Sequence, residues 1–150
     1  VPCSSSGLFT EGRVPRAATV VGATNLPFAN LTAQQTAEAE LTFVPEGVSS
    51  AGAVIVDSVE HYSRTSFTQA EPSELYEFTR EMVRQKTGEV LRLSTRLGVP
   101  PSLVLPLAVE CPTSEPIGTR YAAWAERRQV AGAVAALAQH VRQHGNASLL

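Results

Sequence analysis

An α+β fold is what the sequence predicts: about four strands in an antiparallel or mixed sheet, covered by two long helices, in the order β-β-β-α-β-α. Three observations predict it. Residues 72–97 carry apolar side chains at helical spacing and end on Gly98-Val99-Pro100-Pro101. A second helical pattern runs to His144 and stops at Gly145. The other apolar residues gather in short runs of strand length separated by turn residues. With 150 residues and 43% apolar content, the chain has the size of one domain, read as 17–150 behind an irregular N-terminal extension, 1–16.

The first strand is expected over Ala17 to Ala23, with a turn at Thr24-Asn25-Leu26-Pro27. Thr32 to Glu40 reads as a short helical turn with Thr32 and Gln35 as a capping box. It runs into a strand in which Ala39, Leu41 and Phe43 alternate with polar residues until Pro45. After the turn-rich Pro45 to Ser50, the β-branched run Ala51 to Val56 and its continuation to Tyr62 read as the second arm of a hairpin. Pro72 suits a first helical turn, Glu74 and Glu77 complement the helix dipole, and Leu75, Phe78, Met82, Val90, Leu93 and Leu97 form the apolar stripe. That stripe lapses at Lys86 beside Gly88, where a kink or break is conceivable. Leu103 to Glu110 reads as the last strand, placed at an edge because Pro106 cannot donate to a ladder. The second long helix is expected from Ser114 or Thr119 to His144, with Tyr121, Trp124, Val134, Leu137 and Val141 on its apolar side.

Charge divides along the chain. Residues 1–79 hold nine acids against three arginines, whereas 80–150 hold nine basic groups against five acids. Such a division serves an anionic partner or is neutralised when the halves fold together. Lysine occurs once, at Lys86, and arginine eleven times, a bias that codon composition explains without any demand for phosphate contacts. A pI near 5.9 makes nucleic acid an unlikely partner. No apolar run approaches the roughly 20 residues of a membrane-spanning helix. Two cysteines, Cys3 and Cys111, fit an intracellular protein better than a disulfide scaffold, and their spacing leaves a bridge undecided. The serine-rich start with Arg13 and Arg16 resembles the remainder of a transit segment, which makes an organelle such as the mitochondrial matrix a compatible location.

Arg80, Arg84, Arg92 and Arg96 form a four-residue ladder on the first long helix, with Gly88 in the missing rung. The ladder either contacts a partner or is a solvated face in which Glu77, Glu81 and Glu89 pair at i, i+3 with Arg80, Arg84 and Arg92. Trp124, flanked by Arg120 and Arg128, marks a packed seam or an interface anchor. His140 and His144 lie one turn apart and with His61 make a weak metal triad; histidines in a last turn more often complement the dipole. Cys111 near a helix start, His61 and Asp57, the single aspartate, are the weak catalytic candidates. Phosphate loops, paired Cys-x-x-Cys motifs and dinucleotide fingerprints are absent, and no cofactor is expected.

The balance favours a non-catalytic accessory subunit of a multi-protein complex, docking through its long helices and a sheet edge. Few polar residues converge on chemistry, while the helices have more surface than a small sheet needs to cover. The alternatives are a small hydrolase using the histidine metal site or Cys111, and an anionic-partner protein, for RNA or a lipid headgroup, using the arginine-bearing helix.

Overall fold

The computed structural model describes residues 6–109 and 115–144. Helix accounts for 68% of it, and the sheet has two parallel strands, so the expected four-stranded sheet and its β-β-β-α-β-α order are overturned. In chain order the elements are β1 (Thr19–Val21), α1 (Leu31–Glu38), β2 (Thr42–Val44), α2 (Glu46–Ser49), α3 (Gly52–Tyr62), α4 (Arg64–Gln69), α5 (Pro72–Leu97) and α6 (Pro101–Val109), then a 3₁₀ turn (Ile117–Arg120) and α7 (Tyr121–His144).

β1 and β2 pair in parallel with Val20 opposite Phe43, joined through α1, which is the connection that parallel strands need. Asn30 caps α1: its side chain accepts a hydrogen bond from the Ala33 N–H at 2.8 Å. The cap therefore sits before the Thr32–Gln35 box read from the sequence. Ala33 and Ala37 are small enough to lie flat on the strands, and with Val20, Phe28, Leu41 and Phe43 they make a first core. The segment read as an irregular extension joins that core, because Phe9 and Val14 pack on it and the Phe9 amide and carbonyl bond to Pro27 and Ala29.

The two corrected strands are both helices. Ala51 to Tyr62 is not a hairpin arm but α3, in which Ile55 and Val59 are buried while Val54 is 70% exposed. A β-branched run of this length fits either state locally; four-residue spacing of Ala51, Ile55 and Val59 lets all three enter one core, and packing overrides strand propensity. Leu103 to Glu110 falls mainly in α6, with Pro101 at its start and Pro106 inside it. Pro106 forgoes one backbone bond in the second turn, and Val104, fully buried, holds the helix down against β2 and α5.

α5 is the central rod, and α2, α3, α6 and α7 pack on it. It starts on a capping box in which Glu71 and Glu74 exchange backbone contacts, has Pro72 in the first turn and ends at Gly98 in the left-handed conformation, φ 66°. It runs unbroken through Gly88. Phe78 and Met82 join Ile55, Val59, Tyr121 and Trp124 in a second core. Phe78, Tyr121 and Trp124 form a cluster of rings with centroids 5.2–5.8 Å apart.

Candidate functional site

Met82, Lys86 and Val90 follow one another at four-residue intervals along α5 and so share one face. Met82 and Val90 are buried and Lys86 is half-buried, its apolar stem continuing the stripe while its ammonium reaches solvent. In front of this face is a cavity of about 260 Å³, walled by Val48, Ile55, Met82, Val90, Leu105 and Ile117. It adjoins an open groove of about 830 Å³, and Lys86, Ala108 and Arg120 line both spaces. Arg84, Glu89 and Arg92 complete the polar wall of the groove.

Glu77, Glu81 and Glu89 of α5 take partners other than the arginines three residues on. Glu77 pairs with Arg128 of α7, Glu81 accepts from the Trp124 indole N–H and from Gln85 at 2.9 Å each, and Glu89 holds Lys86 at 2.8 Å. Arg80, Arg84, Arg92, Arg96 and Arg120 make no ion pair among the described residues. The solvated, self-paired ladder is thus not what forms. Arg84 and Arg92 face the groove, whereas exposed Arg80 and Arg96 do not line it. The Arg92 guanidinium lies over Gly88, where a Cβ would stand 3.2 Å from Nη1.

Trp124 is 5% exposed, with the Arg128 guanidinium 5.1 Å above its ring, so it sits in an internal seam between α5 and α7. Beyond that seam, every side chain from Glu126 to Gln143 is exposed. Val130, Val134, Leu137 and Val141, spaced four, three and four residues apart, are 57–64% exposed. At about 1.5 Å per residue, the helix beyond Arg128 extends about 24 Å.

Of the weak catalytic and metal candidates, Asp57 and His61 lie one turn apart on α3, and His140 lies on α7. Asp57 is on an exposed face of α3, not at the end of a buried strand, and His61 is exposed on the same helix with its ring against Tyr62. His140 is exposed on α7, and His144 ends that helix. Among the described residues, no three histidine, cysteine, aspartate or glutamate side chains are grouped to hold a metal ion. Cys3 and Cys111 lie outside the described residues. No described helix is long and apolar enough to cross a membrane. Sequence reasoning missed the cavity itself and read Arg120 only as a neighbour of Trp124; the available signal was Lys86, the single lysine, standing where the apolar stripe of α5 should have continued.

No family model, curated protein or solved structure matches this chain.

Proposed function

We propose that the protein is a non-catalytic docking subunit that binds a helical segment of another protein along the outer half of α7. The observation that carries this reading is the exposed stripe of Val130, Val134, Leu137 and Val141 on a helix whose base alone is packed. Its four–three–four spacing is that of a coiled-coil seam, and Ala131, Ala133 and Ala138 beside it let a second helix approach closely. Those shoulders are uncharged, so recognition rests on shape and apolar contact.

Magnitude decides the kind of docking. Burial of these side chains supplies about 1.5–3 kcal/mol each, against an association cost of about 4–15 kcal/mol. A partner seated on the stripe alone therefore binds reversibly. The test is native mass measurement of the assembly isolated from its source, repeated with Leu137→Glu. The expected result is a specific hetero-complex that Leu137→Glu dissociates while the melting temperature of the chain stays unchanged. A monomer in native extracts, or a complex indifferent to the substitution, defeats the reading.

A further inference from the structure

We propose that the cavity beside Lys86 and the basic groove next to it form one binding site for a single-chain amphiphile, with the alkyl or acyl chain in the cavity and a phosphate monoester in the groove. The cavity is lined mostly by aliphatic and methionine side chains, and its only polar side chains, Lys86, Glu115 and Arg120, are charged groups suited to a headgroup rather than to the edges of a base or sugar. Its volume of about 260 Å³ compares with the roughly 150 Å³ that admits a benzene ring to a dry apolar cavity. One chain of medium length fits; two chains do not.

The headgroup follows from charge. Lys86 is balanced by Glu89, while Arg84, Arg92 and Arg120 have no acidic partner among the described residues. Glu115, on the cavity wall, offsets part of this excess. What remains is close to the charge of a phosphate monoester, about −1.5 to −2 at neutral pH. Guanidinium forks from two elements, α5 and the 3₁₀ turn, match its oxygens bidentately, and a carboxylate would leave part of the positive charge unmet. Gly88 leaves the room in which Arg92 lies along the helix beside the groove.

The test is calorimetric titration of the full chain with hexyl, octyl and decyl phosphate below their micellar concentrations. Saturable one-to-one binding is expected, tightening about fourfold per added methylene until the cavity is full. Arg92→Gln and Arg120→Gln each weaken decyl phosphate about tenfold. Ala108→Phe, checked for an unchanged fold by circular dichroism, moves the optimum to a shorter chain. Inorganic phosphate binding as tightly as decyl phosphate would reduce the site to a surface anion patch and overturn the proposal. Affinity independent of chain length, an unaffected Arg120→Gln variant, or decanoate equalling decyl phosphate would overturn it as well.

Discussion

A Cβ built on Gly118 would stand 2.0 Å from the Ser58 carbonyl oxygen, so the 3₁₀ turn and α3 meet backbone to backbone at a distance only glycine permits. Two bonds fix the contact: Gly118 N–H donates to Ser58 Oγ at 3.0 Å and Ser63 Oγ donates to the Gly118 carbonyl at 2.6 Å. Gly118→Ala must push α3 and the turn apart, and a loss of at least about 2 kcal/mol in urea unfolding is expected; an unchanged midpoint would disprove the close approach. Tyr121 is the second such residue. Burial, and secondarily the charge of Glu74, raise its phenol pKa above the usual 10, and its hydroxyl has no hydrogen-bond partner among the described residues. The neutral phenol is therefore the native form. Its contribution to stability is complete below the unfolded pKa of about 10 and is lost as pH rises through the higher native value. Tyr121→Phe should hold or raise the melting temperature at pH 7 and flatten the decline above pH 10, both read from thermal melts across pH. Neither residue was legible as special, since nothing local marks Gly118 and Tyr121 reads as one more apolar position of the second long helix.

At the scale of elements, legibility tracked the strength of local signals. α5 carries a capping box, an N-terminal proline, a 3.6-residue stripe and a C-terminal glycine, and it forms over the predicted residues, 72–97. α3 and α6 carry none of these together. Each is an apolar run too short for its period to choose between states, and the choice fell to the core that each could enter. In α7 the sequence showed the apolar residues but not that only the first turn is covered, with Tyr121 and Trp124 buried and Val134 and Leu137 in water. Amide exchange should divide this helix accordingly, with strong protection in α5 and weak protection beyond Arg128 in the isolated chain. Ala133→Pro should reduce helical ellipticity without moving the unfolding midpoint of the body, since the outer half of α7 adds nothing to either core. A lowered midpoint would mean that the outer helix packs on the body.

For the whole molecule, the question is whether the two cores unfold together. They are joined by α6, where Ser102 donates to Glu38 at 2.8 Å and Val104 is fully buried between β2 and α5. Trp124, the single tryptophan, reports the second core, whereas Phe43 belongs to the first. Phe43→Ala should cost about 3–5 kcal/mol and lower the Trp124 fluorescence midpoint as far as the far-ultraviolet ellipticity midpoint, in one transition. A fluorescence transition left at its wild-type position would show two independent units. Of the charge divided along the chain, one ion pair among the described residues crosses the division, Glu77 of α5 with Arg128 of α7, while Arg84 and Arg92 of α5 have no acidic partner among those residues.

The sequence by itself determined the two long helices, both ends of α5, the β1 and β2 runs and the presence of an arginine ladder, because capping groups, dipole charges and residue period act over one or two turns of chain. Only the tertiary structure decided that two apolar runs became helices, that the acids beside the arginines turned to other partners, that Lys86 stands over a cavity and that the outer half of α7 is uncovered. Those outcomes depend on which surfaces meet across long separations in the chain. Free energies of burial that local spacing does not encode make that selection.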